Sequence, residues 1–178
     1  MATSLLNKSR ILYKGDMIAA WFYVFTGLVL ATFAGILHYF TRIGNFRYLV
    51  IGLVMFAAYS IGKGIFMYFV SYSRYRFYHD RDTMSDKEIE DEIQYTSYRI
   101  EKKNNNRRRF IYTIVISTLL AFAGIFTRQK ALLTGTAIPV ALISGIEFGI
   151  GLLTEFRLRE YYRILNKNKD GRQGNDMI

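Results

Sequence analysis

The chain has 178 residues, 51% hydrophobic and 16% aromatic, with 24 Lys and Arg against 14 Asp and Glu, a formal net charge of +10 and no cysteine. That composition excludes a disordered tail, a disulfide scaffold and a cysteine-based metal site. The apolar residues gather in four nearly uncharged blocks of 18 to 24 residues, which excludes an ordinary soluble globule as well.

Crossing a hydrocarbon core of about 30 Å takes roughly 20 apolar residues at 1.5 Å of helical rise each. Taken in chain order, Met17 to Phe40 is the first such block, interrupted only by threonines and His38. Tyr48 to Val70 follows with one charge, Lys63; Phe110 to Thr127 has none; Ala131 to Thr154 carries one, Glu147. Lipid leaves no partner for an unpaired backbone group, so each block is expected to be a helix. The expected fold is all-α, an integral membrane protein of four transmembrane helices in two tandem hairpins with cytoplasmic helical extensions. Residues 1–81 form the first hairpin and its extension, 82–109 a cytoplasmic amphipathic helix with a basic linker, and 110–178 the second hairpin with a C-terminal helix and tail.

Charge orients the spans. Nineteen of the 24 basic residues precede the first span, separate the second from the third, or follow the fourth. The two short loops on the other side hold Arg42, Arg47, Arg128 and Lys130. Basic residues favour the cytoplasmic face, which puts both termini and the central segment there, with residues 41–47 and 128–130 outside. The first apolar block is too long for a signal-peptide core. Arg74, Arg76, Arg107, Arg108, Arg109, Arg157 and Arg159 crowd the cytoplasmic exits, where they suit anionic headgroups or a protein partner. The bilayer therefore accounts for the net charge without nucleic acid.

The two hairpins match one another. Phe33-Ala34-Gly35-Ile36 recurs as Phe122-Ala123-Gly124-Ile125, and after a shorter outer loop Gly52 aligns with Gly135, Gly62 with Gly145, and Arg74, Arg76 and Tyr78 with Arg157, Arg159 and Tyr161. Two copies of a two-span unit insert with the same orientation, related by an axis along the membrane normal. Lys63 and Glu147 then sit at nearly equal depth. An ionisable group in a span usually has a partner or a wet cavity, so the two pair across the axis, or Lys63 snorkels to the headgroups. Small residues surround them: Gly62 and Gly64 beside Lys63, and Gly145 and Gly149 flanking Glu147 at a spacing that permits close helix approach. Pro139 should kink the fourth span. That span is the candidate pore surface, with ordinary bundle packing as the alternative.

Ser71 to Arg109 is the one sizeable water-facing segment. Ser85 with Glu88 reads as a capping box, and Ile89, Ile93, Thr96 and Ile100 make an apolar stripe at helical spacing. Asn104-Asn105-Asn106 is expected to break or loosen the helix, and the residues from Lys167 onward to fray. No phosphate-binding loop, metal-ligand cluster or nucleophile–base arrangement is present, and no enzyme activity or cofactor is expected. Arg74-Tyr-Arg-Phe-Tyr-His79 has the Arg-x4-His spacing that resembles HEPN ribonucleases, without a surrounding soluble domain.

The second half of the chain resembles the SLATT group of bacterial membrane effectors. Phe110-Ile-Tyr-Thr, Phe122-Ala-Gly-Ile and Glu155-Phe-Arg-Leu-Arg-Glu-Tyr-Tyr carry the likeness, from Ile100 to Leu165. It implies a homo-oligomer that forms membrane-disrupting pores in defence against phage, seated in the bacterial inner membrane; four spans in place of two is a departure. The size and span count also resemble the small membrane proteins encoded beside type VI-B CRISPR ribonucleases. Three functions compete: a homo-oligomeric pore or channel, a non-conducting adaptor that holds a cytoplasmic protein partner through 71–109, and a small-solute transporter.

Overall fold

All four apolar blocks are helical, and every helix continues beyond the length a bilayer demands. A computed structural model describes residues 2–40, 47–81 and 83–173; the expected outer loop at 41–46 and the tail beyond 173 lie outside the described residues. Helix α1 spans Ala2–Phe40, α2 Arg47–His79, α3 Asp86–Ile125 and α4 Lys130–Gln173. Each contains a stretch long and apolar enough to cross a membrane, and no strand occurs among the described residues. The protein is an all-α, four-helix membrane protein. Its tightest packing lies within the α1–α2 and α3–α4 hairpins, and α4 joins them by packing on α2 and α1. The 126–129 turn shares one end of the bundle with Arg47, since Gly135 meets Tyr48 and Leu49. The N-terminal turns, the α2–α3 connection and the end of α4 share the other, basic end, where Arg10 and Ser9 reach Tyr78 and Tyr161.

Two kinds of interior run along the same helices. In the apolar stretches most buried residues are small or polar, among them Ala19, Ala20, Ala34, Ala57, Ser60 and Ala137, with Tyr23, Leu53 and Ile143 the larger ones, while Phe25, Phe66, Leu119, Phe122 and Leu153 face outward. Apolar residues outside and small ones between helices is the arrangement lipid favours, because hydrocarbon does not drive leucines inward. At the basic end the pattern reverses. Leu5, Leu6, Leu12, Tyr13, Tyr78, Met84, Ile89, Leu158, Tyr161 and Leu165 form one buried core of the kind water drives together. The four helices thus leave the apolar zone as a second, water-type four-helix bundle. The Ile89–Ile100 stripe docks into this core, with Ile93 and Ile100 at its edge.

Two expectations are corrected. Asn104-Asn105-Asn106 does not break α3, which runs unbroken for 40 residues from its Ser85 capping box. Three asparagines cost about 2 kcal/mol in helix propensity, whereas a break would orphan backbone donors and acceptors on both sides. Asn104 also accepts a hydrogen bond from Arg107 at 3.0 Å. The helix at the C-terminal end does not fray at Lys167; α4 continues to Gln173, with Leu165 buried and Lys169 paired to Glu90 at 3.0 Å. The residues before Met17 are the first four turns of α1 and supply four core side chains.

The glycines divide differently from their sequence spacing. A Cβ on Gly62, Gly145 or Gly149 would meet nothing within 4 Å, so the Gly145–Gly149 spacing packs no helix of this chain. Close approach occurs at Gly27 and Gly64 between α1 and α2, at Gly124 between α3 and α4, and at Gly52 and Gly135 between α2 and α4. Pro139 leaves α4 continuous, and its ring sits against Gly52. Gly52 and Gly135, which the sequence comparison of the two hairpins aligns, face each other. Gly64→Ala should lower stability by about 1–3 kcal/mol, because its Cβ would lie 2.7 Å from the Ala20 carbonyl oxygen. Gly149→Ala should be neutral or stabilising, gaining up to about 1 kcal/mol of helix propensity. Thermal unfolding in detergent compares them, and equal losses would contradict the packing described.

Candidate functional site

Four acids are buried among the described residues, Asp16, Glu92, Glu147 and Glu155. An isolated buried carboxylate is costly and is kept only when paired and hydrogen-bonded. All four are paired with bases from other turns or other helices, at successive levels down the bundle.

Glu147 is the level nearest the turns, about 26 Å from Lys130 along α4 at 1.5 Å per residue. Its carboxylate pairs with Lys63 of α2. The Tyr23 hydroxyl donates to Oε2 at 2.8 Å and the Tyr59 hydroxyl to Oε1 at 3.2 Å. The Lys63 ammonium also lies over the Tyr23 ring, 4.6 Å from its centroid. Helices α1, α2 and α4 therefore meet at one carboxylate. The side chain of Glu147 is 5% exposed and that of Lys63 29%.

The next level lies about 36 to 38 Å from the turns, near the boundary of a 30 Å hydrocarbon layer. Asp16 of α1 accepts from Arg99 of α3 at 2.6 Å and has Arg157 of α4 at 4.0 Å. Glu155 of α4 accepts from Arg159 at 2.9 and 2.7 Å and has Arg107 of α3 at 3.5 Å. These ion pairs fasten α3 to α1 and α4.

Glu92 is deepest in the water-type bundle. It accepts from Tyr13, from Tyr78 at 2.7 Å and from Arg74 at 3.1 Å. The Arg74 guanidinium also stacks 3.8 Å from the centroid of Tyr95, and the rings of Tyr13 and Tyr78 stack at 5.7 Å. Tyr161 shares a 2.7 Å hydrogen bond with Ser9. Burial first, and the Glu92 carboxylate next, hold the hydroxyls of Tyr13, Tyr78 and Tyr161 well above the usual phenol range. In an unfolded chain these phenols ionise near pH 10. The folded chain keeps its protons, so their contribution is complete below pH 10 and is lost as pH rises above it. The unfolding temperature should fall between pH 10 and 11, and fall less steeply in Tyr13→Phe/Tyr78→Phe.

Of the residues singled out from sequence, Lys63 and Glu147 are brought together. Arg74, Arg107, Arg157 and Arg159 turn to buried acids, while Arg76 pairs with exposed Asp80 at 3.9 Å and Arg108 and Arg109 stand exposed at the rim. Arg74 and His79 do not converge, for His79 stacks on Tyr75 at 5.5 Å. Asp16, Tyr13, Tyr23, Tyr59, Glu92, Arg99 and Glu155 were not legible as a set. Asp16 alone left a signal, an acid directly before an apolar block in a basic surrounding.

Chemically the arrangement is a series of neutralised charges that holds four helices in register through the membrane boundary. Among the described residues no three His, Cys, Asp or Glu side chains gather as a metal site. No protein-family model, no curated protein and no solved structure matches the chain.

Proposed function

We propose that this chain is a non-conducting membrane adaptor of the bacterial inner membrane, without catalysis of its own, whose water-type bundle projects into the cytoplasm to engage a protein partner. Glu147 carries the reading. A charge that serves an ion path must be free to meet the ion, whereas Glu147 is neutralised by Lys63 and held by Tyr23 and Tyr59 of its own chain. The α4 helix runs on for some 19 residues past Thr154, and a helical bundle of that reach is more than two hairpins need for a connection. Exposed Tyr72, Phe77 and Tyr98 lie in the 71–109 region that would meet the partner. Orientation with both termini inside follows from the basic end facing the cytoplasm.

A homo-oligomeric, pore-like effector in antiphage defence is the second reading, and one observation favours it. Gly145 and Gly149, with Leu142 and Phe156 on the same exposed face of α4, are free to pack against another copy. Ion flux in liposomes separates the two. The adaptor gives no flux above empty vesicles at any protein-to-lipid ratio. Flux that rises steeply with protein density, and is altered in Glu147→Gln or abolished in Gly149→Leu, would replace it with the pore.

A further inference from the structure

At the basic end, between α3 and α4, lies an open groove of about 610 Å³ lined by Ser97, Arg159, Tyr162, Arg163, Asn166 and Lys167. Apart from Ile100, every side chain lining it carries a hydrogen-bond donor, and none is an acid. Arg159, Arg163 and Lys167 recur every fourth residue, so they share one face of α4 with successive Cα atoms about 6 Å apart. Several other cations at this end are spent on protein: Arg10 on three carbonyls, Arg74 on Glu92, Arg81 on Glu88, Arg99 on Asp16. Arg163 and Lys167 form no ion pair among the described residues. Arg159 shares the single carboxylate of Glu155 with Arg107, which leaves that trio positive too. The nearby acid Glu160 lines a different pocket, with Lys8 and Arg157.

We propose that this groove binds a soluble anion carrying two or more phosphates. Guanidinium groups match phosphate oxygens with paired hydrogen bonds, and an adjacent ammonium adds a point charge. Ser97, Asn166 and the Tyr162 hydroxyl supply neutral donors beside them. The volume lies within the range of small-molecule sites. Lipid phosphate is the other source of this chemistry, and depth argues against it. Arg163 and Lys167 stand about 50 and 56 Å from Lys130 along α4, well past a 30 Å hydrocarbon layer and its headgroups. The proposal stands whether the chain is an adaptor or a pore, since it concerns a groove outside the spans.

The test uses the full chain in nanodiscs of zwitterionic lipid, titrated with inorganic tripolyphosphate and followed by unfolding temperature and calorimetry. Saturable stabilisation is expected, weakening as salt rises. Arg163→Glu/Lys167→Glu should weaken binding at least tenfold, while Arg108→Glu, an exposed cation away from the groove, leaves it within twofold. Arg163→Gln/Lys167→Gln, at exposed positions, should unfold like the wild type without ligand and still bind weakly. Equal losses in the groove and Arg108 variants would mean diffuse attraction and overturn the site. So would stabilisation by anionic-lipid nanodiscs alone, lost in the groove variant, with no binding of tripolyphosphate, which would assign the cations to headgroups.

Discussion

Lys63→Met is expected to destabilise the protein by about 3–5 kcal/mol, and Lys63→Met/Glu147→Gln to recover a large part of that loss. The reason is the stranded partner. With Lys63 gone, Glu147 loses its salt-bridge partner in low dielectric and keeps hydrogen bonds only from the hydroxyls of Tyr23 and Tyr59. Glu147→Gln alone should cost less. The amide retains an oxygen for Tyr23, and the freed ammonium rests over the Tyr23 ring on a stem long enough to approach the headgroups. Equilibrium unfolding of the four proteins of this cycle, in one detergent, measures the coupling. Additive losses in the double variant would show that the two charges do not sense each other. Tyr23→Phe, which removes one hydrogen bond to a charged acceptor, should fall between, at about 1.5–3 kcal/mol.

Glu92→Leu is expected to cost about 3–5 kcal/mol, by the opposite route. Here the acid leaves and three donors are orphaned together, the hydroxyls of Tyr13 and Tyr78 and the Arg74 guanidinium. The loss should be confined to the basic end. Amide exchange is predicted to rise in residues 5–16, 71–79 and 86–100, while the apolar stretches stay protected, because their packing at Gly27, Gly64 and Gly52 is untouched. Tyr13→Phe/Tyr78→Phe with Glu92→Leu should be milder than Glu92→Leu alone, since fewer buried donors are then left unpaired. A loss below about 1 kcal/mol for Glu92→Leu would mean that water reaches this carboxylate and the cluster contributes little.

Both predictions turn on residues whose partners lie far away in the chain. Glu147 meets Tyr23 across 124 positions and Glu92 meets Tyr13 across 79. Local pattern says where such a residue stands along its helix, and nothing about the neighbour that arrives from another helix. The Lys63–Glu147 pair could be anticipated because two charges of opposite sign stood at matching depth in otherwise apolar spans. Asp16 stood out only as an acid directly before an apolar block, which does not name its partners, and Glu92 and Glu155 sit among other charges from which only burial separates them. The glycines show the same limit. Gly145 and Gly149 have the spacing of a packing motif yet face outward, whereas Gly27 and Gly52, in no motif, make the close approaches.

By itself, then, the sequence determined that this is an all-α membrane protein of four long apolar helices, with most of its basic residues gathered outside the apolar runs. Those features follow from one-dimensional quantities, the length of apolar runs against the thickness of hydrocarbon and the distribution of charge along the chain. Tertiary structure alone decided that α1 begins at Ala2 as part of a packed core, that α3 passes through three asparagines unbroken, and that four buried acids are each neutralised at a set level. In each case the deciding energy is a contact between helices, the burial of leucine and tyrosine at the basic end and the pairing of charges out of water. Such terms depend on which faces meet, and helix crossing sets that.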